Sequence, residues 1–150
     1  MKATEGKFQE SKQAISTCLD QIYYLIKNNQ TSISVEKYRL ADSKRDPKFT
    51  NRYTLGVLFP DESETEALKR ELLTLTVEEY IESIRDNRFP KLAPMRVFCK
   101  QYSNCDVYIK LRVEMMSKEL AGSGRIIVIS FHFAEWKYSS TDYPFRRQQK

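Results

Sequence analysis

The chain has 150 residues, 41% apolar and 30% charged, a balance expected of one folded domain rather than a disordered polymer. Its formal charge of +5 attracts polyanions, so where the charges sit matters more than their sum. No run approaches the roughly 20 apolar residues of a membrane span, no apolar leader follows Met1, and the four glycines form neither G-x-G-x-x-G nor a P-loop, so neither a membrane span nor secretion is expected and nucleotide-dependent chemistry has no support.

Cys18, Cys99 and Cys105 are too few and too irregular for a disulfide scaffold. With a single histidine beside them, no tetrahedral metal set is expected, and no cofactor. A reducing cytoplasm fits this usage. Cys99 and Cys105 flank a turn but read as small strand residues.

From about Lys7 to Lys27, Ile15, Leu19, Ile22 and Ile26 recur at helical steps, with Phe8 on the same stripe, so an amphipathic helix is expected to end at Asn28-Asn29. Thr31 to Leu40 alternates at Ile33 and Val35 but is otherwise polar, which suits an edge strand. Asp46-Pro47 reads as an N-cap with proline at the first helical position, Phe49 and Tyr53 lie one turn apart, and Gly56 suits a left-handed stop. Phe59-Pro60-Asp61 breaks the chain. Ala67, Leu68, Leu72 and Leu75 then continue a helical stripe, and Thr76 with Glu79 has the form of a capping box that predicts a new helix over Val77 to Ile84.

After the basic loop from Arg85 to Pro94, three strands are predicted over about 95–102, 106–115 and 125–132. Ser103-Asn104 serves as a hairpin turn and Gly122-Ser123-Gly124 as a looser connection. Helices first and an antiparallel meander after them indicate an α+β fold, with N-terminal helices packed on one face of a small sheet. Trp136 through Phe145 is rich in aromatics for a terminus, so residues 133–150 are expected to fold back over the sheet or a helix edge, with Arg146, Arg147 and Lys150 as a basic end.

Alternation along Asp106 to Val113 puts Tyr108, Lys110 and Arg112 on one face and Val107, Ile109, Leu111 and Val113 on the other. If the run ending at His132 is a neighbour, His132 and Ser130 can join the basic, aromatic face. Lys100 joins it only if the hairpin loop has an odd residue count or a bulge. The odd count is preferred here, because it leaves Arg96, Phe98 and Lys100 outward and the more apolar Met95, Val97 and Cys99 behind.

Leu75-Thr76-Val77-Glu78-Glu79-Tyr80, Phe98-Cys99-Lys100, Val107-Tyr108-Ile109-Lys110-Leu111, Ile129-Ser130-Phe131-His132 and Tyr143-Pro144-Phe145 occur in that order. Together, over roughly residues 46–146, they resemble bacterial toxins of the MqsR type in the RelE-like superfamily. The resemblance implies helices backing a small antiparallel sheet, and an endoribonuclease neutralised by a cognate antitoxin. By position, Tyr108 falls where the family has a strand tyrosine in its active face, and His132 where the better-known toxins have a lysine near the end of the last strand. The chain departs from the pattern at Ile81 and Glu82, where those toxins have a basic residue, and at Phe133, which separates His132 from the acidic Glu135.

Metal-free RNA cleavage needs a base for the 2′-hydroxyl proton, an acid for the departing 5′-oxygen and cations on the phosphorane. His132 is the natural acid or base. Lys110, Lys100 and Arg112 would hold phosphate, and Tyr108 would orient it or stack on a base. Arg96, Arg88 and Lys91 around the proline loop are further candidates for RNA contact.

Bland readings stand beside these. Tyr108 reads equally as a surface strand tyrosine, Lys110 and Arg112 as solvated charges guarding an apolar strand, and the loop arginines as ordinary soluble surface. The chain is thus read either as an RNA-cleaving toxin or as a non-catalytic relative that binds RNA or protein. An antitoxin, or a second copy in a homodimer, is the candidate partner for the aromatic tail.

Overall fold

The computed structural model describes residues 5–28, 31–36, 43–115 and 123–146. In chain order these form β1 (Glu5–Phe8), α1 (Lys12–Lys27), β2 (Thr31–Val35), α2 (Asn51–Leu58), α3 (Glu64–Leu72), β3 (Tyr80–Asp86), β4 (Met95–Tyr102), β5 (Cys105–Met115) and β6 (Gly124–Phe133). One six-stranded sheet runs β1-β3-β4-β5-β6-β2, antiparallel except for the β2–β6 pair. The fold is α+β, as expected. Residues 37–40 of the ambiguous run, the connection at Gly122 and the basic Arg147 and Lys150 lie outside the described residues.

All three helices contribute to one core on the same sheet face, here termed the back. Ile15, Ile22 and Leu25 of α1, Leu55 of α2 and Leu68 and Leu72 of α3 pack on Phe98, Ile109, Leu111, Val128 and Phe131. The apolar stripe of α1 is the predicted one. However, the helix starts at Lys12 behind the N-cap Ser11, whose hydroxyl accepts from the Ala14 N–H at 3.1 Å. The residues before it form the edge strand β1 instead.

Two further helix predictions are corrected. Asp46 does act as an N-cap, its carboxylate accepting from the Lys48 N–H at 3.1 Å, but only a single 3-10 turn follows, and Thr50 recaps the chain for α2. Gly56 lies inside α2, which ends at Leu58 with Phe59 as its C-cap, just before Pro60. The capping box at Thr76 also exists, with the Glu79 carboxylate accepting from the Thr76 N–H at 3.0 Å. Beyond it the backbone turns extended at Tyr80 and becomes β3, not a helix.

The reason is a bulge. Tyr80 opposes Phe98 and Glu82 opposes Val97, so Ile81 is an extra residue in β3. Ile81 and Ile84 consequently share the front face, and their three-residue spacing imitates a helix. They join Met95, Val97 and Cys99 in a second apolar cluster on the front.

β1 covers only Ser83–Asp86 of β3. A charged network fixes the link from β1 into α1. Arg96 donates two bonds to Glu10 at 2.8 and 2.9 Å, Ser83 also donates to Glu10, and the Tyr80 hydroxyl lies 2.7 Å from Ser83 Oγ.

Candidate functional site

The β4–β5 hairpin sets the register of the front face. Ser103 and Asn104 form a two-residue turn with φ of 50° and 68°, the double left-handed geometry of a type I′ hairpin. Cys99 therefore opposes Tyr108, and Lys100 opposes Val107. This overturns the odd-count expectation. Met95, Val97 and Cys99 share the face of Tyr108, whereas Arg96, Phe98 and Lys100 point to the back.

On the other side of β5, Tyr108 directly opposes His132 and Lys110 opposes Ser130. A second bulge makes this possible. Lys110 pairs with Ser130 but Leu111 with Val128, so Ile129 is the extra residue in β6. Before the bulge, Ile126 and Val128 face the core; after it, Phe131 does, and Ser130 and His132 face front. Simple alternation would have sent His132 into the core with Val128.

The Tyr108 and His132 rings stack with centroids 5.3 Å apart and planes 20° apart. His132 Nδ1 lies 2.9 Å from the Phe133 carbonyl oxygen. Because a carbonyl only accepts, Nδ1 carries the hydrogen, and in the neutral ring Nε2 holds the lone pair. Trp136 meets Tyr108 edge-on at 6.3 Å, and the row continues through Tyr138 to Tyr143. The tail thus lies across the front, then Phe145 stacks on Tyr80 where β3 has no β1 beside it. His132 is only 5% exposed, so the imidazole lies covered within this aromatic face rather than open to solvent.

The structure divides the proposed cations. Lys110 and Arg112 share the front with Tyr108, at about 7 and 13 Å along the strand. The Arg112 Nε approaches Glu114 Oε2 at 3.0 Å without hydrogen-bond geometry, so the attraction is ionic. Lys100, by contrast, projects from the back and pairs with Glu79 at 3.0 Å. Arg96 is engaged by Glu10, and Arg88 by Asp86 at 2.9 Å. Lys91 is exposed in the β3–β4 loop, at the far end of the sheet from the hairpin. Of the four residues expected to share the catalytic chemistry, three share the front face: His132, Tyr108 and Lys110. Of the expected RNA contacts, only Arg112 joins their face.

Cys99 is buried beneath the tail. Burial pushes its thiol up to about 11, and burial likewise raises the Tyr143 hydroxyl bonded to it. Among the described residues, no group of three His, Cys, Asp or Glu side chains could hold a metal ion, and no helix is long and apolar enough to cross a membrane.

Sequence reasoning missed Asn51 and Thr54, both fully buried polar residues of α2. Asn51 Nδ2 donates to the Ile129 carbonyl at 2.9 Å, its Oδ1 accepts from the Phe131 N–H at 2.8 Å, and Thr54 Oγ1 accepts from the Phe133 N–H at 2.9 Å. Where short β2 ends, α2 completes the edge of β6. A polar pair three residues apart on a short helix was the only available signal, and it looks like ordinary surface.

Comparison of the chain with protein-family models, with curated proteins and with solved structures returns no match.

Proposed function

We propose that the chain is an RNA-directed protein of the RelE/MqsR type, acting as a metal-independent endoribonuclease and neutralised in the cytoplasm by a cognate antitoxin. One observation carries this reading: the only imidazole and the Tyr108 phenol stack on one sheet face beside Lys110. His132 Nε2 takes the 2′-hydroxyl proton, the 2′-oxygen bonds to phosphorus, and the phosphorus–5′-oxygen bond breaks as Tyr108 donates a proton to the leaving oxygen. Lys110 offsets the charge that builds on the phosphorane. The products are a 2′,3′-cyclic phosphate and a 5′-hydroxyl. The MqsR-type pattern in the strands supports the same chemistry.

A second reading, a non-catalytic module that binds RNA or protein, draws support from the 5% exposure of His132 and from Lys100 on the opposite face. Long RNA incubated with the purified protein in EDTA separates the two. Discrete fragments support the nuclease, whereas a mobility shift without fragments supports the module.

A further inference from the structure

Two hollows meet at the hairpin end of the sheet. The larger, about 600 Å³, is walled by Tyr53, Phe133 and Trp136 with Lys48 at its rim. The smaller, about 390 Å³, lies under the tail beside Tyr143 and Arg146. They share Gln101, Asp106 and Lys137.

We propose that these hollows form one groove for two consecutive unpaired nucleotides of a single strand, with a base stacked on Trp136 and the intervening phosphate at Lys137. The inference rests on the RNA-directed reading and names where the strand is held.

Exposed aromatics support a stacking ligand. Trp136 is 59% exposed and Tyr53 45% exposed, large flat surfaces of the kind that carry unpaired bases irrespective of sequence. Charge supports an anionic one. Of the carboxylates lining the groove, Glu79 is paired with Lys100 at 3.0 Å and Glu135 with Arg45 at 2.9 Å, which leaves Asp106. Exposed Lys137 and Arg146 have no carboxylate partner among the described residues, and Lys48 only brushes Asp46 at 3.9 Å. Arg146 instead lies 3.5 Å over the Tyr143 ring, a cation and a ring presented together.

The groove also reaches the candidate centre, because Trp136 touches Tyr108, which stacks on His132. A strand anchored at Trp136 leads its next phosphate toward those rings. Paired bases would not fit, since stacking on Trp136 requires an exposed base face.

Trp136 is the only tryptophan, so its fluorescence reports this groove alone. The full chain is titrated with a 2′-O-methyl hexanucleotide, which has no free 2′-hydroxyl and cannot be cut. Saturable quenching is expected, weakening as salt rises. Lys137→Glu and Tyr53→Ala, checked for native circular dichroism, should each raise Kd by roughly tenfold. A DNA hexamer of the same sequence reports whether the 2′-position contributes; equal binding of both retains the groove as a general single-strand site.

Unchanged fluorescence at saturating oligonucleotide, wild-type affinity in Lys137→Glu, or equal quenching by an acidic peptide of matched charge overturns the proposal. Quenching without cleavage of unmodified RNA would retain the groove and remove the nuclease. Cleavage without quenching would do the reverse.

Discussion

The side-chain amide of Asn51 holds the Ile129 carbonyl at 2.9 Å and the Phe131 N–H at 2.8 Å, and so clamps both sides of the bulge that turns His132 toward Tyr108. A helix residue 81 positions away in sequence from His132 therefore braces the bulge that sets the face the imidazole occupies. Asn51→Leu strands the Glu36 and Ile129 carbonyls and the Phe131 N–H, each costing about 1–3 kcal/mol when left unpaired. A loss of about 3 kcal/mol or more is expected from urea unfolding. Ring-current shifts of Tyr108 and His132 in NMR should shrink in the surviving folded fraction. Wild-type shifts in the variant would show that the bulge holds itself.

Glu10 and Arg96 tie the N-terminal segment to the sheet. Burial pushes the Glu10 carboxyl up, but hydrogen bonds from Arg96 and Ser83 and the attraction of Arg96 and Arg85 outweigh it and hold the group below its ordinary value. A carboxyl lowered by folding contributes stability that is fully present above the unfolded pKa, about 4.3, and is lost as pH falls through the folded one. Glu10→Gln should cost about 1–3 kcal/mol at neutral pH, as for charge-assisted bonds between half-buried groups. Urea midpoints of the two proteins should converge below about pH 4. A gap that persists unchanged into acid would contradict this assignment.

Ser103 and Asn104 both occupy left-handed backbone at φ of 50° and 68°. Left-handed geometry costs a residue with a Cβ roughly 1–2 kcal/mol, less for Asn. The double change Ser103→Asn with Asn104→Gly supplies the preferred type I′ pair and should raise stability by about 0.5–1.5 kcal/mol. A lowered thermal midpoint would mean that the turn side chains make contacts worth more than the strain.

The three cysteines differ sharply in access. Cys18 and Cys99 are buried and Cys105 is exposed at the hairpin, and burial raises the thiols of Cys18 and Cys99. A thiol reagent at pH 8 should label one cysteine rapidly in the native protein and all three after denaturation. Rapid labelling of Cys99 would show that the tail lifts from the sheet.

Much of the architecture was legible because burial on one sheet face leaves period-two patterns. β4, β5 and β6 fall within a residue or two of their predicted bounds, and the stripe of α1 is real. Bulges account for part of what was not legible. Extra residues at Ile81 and Ile129 break alternation, so Ile81 and Ile84 mimicked a helix and the placement of His132 could not be derived from counting. β1 escaped because four residues carry too little pattern, and Phe8 happened to extend the α1 stripe. At the site, the pairing of Tyr108 with His132 depended only on neighbouring strands. The place of Lys100 depended on loop length, which composition favoured wrongly: Phe98 belongs to the main core and Cys99 to the front.

The most direct test of the account is cleavage of a long single-stranded RNA in EDTA by wild type, His132→Ala, Tyr108→Phe and Lys100→Ala, with the product termini identified. The account predicts 2′,3′-cyclic phosphate ends from wild type and Lys100→Ala, and losses of roughly 100-fold or more in the other two. Intact RNA with wild type, or full cleavage by His132→Ala, would contradict it.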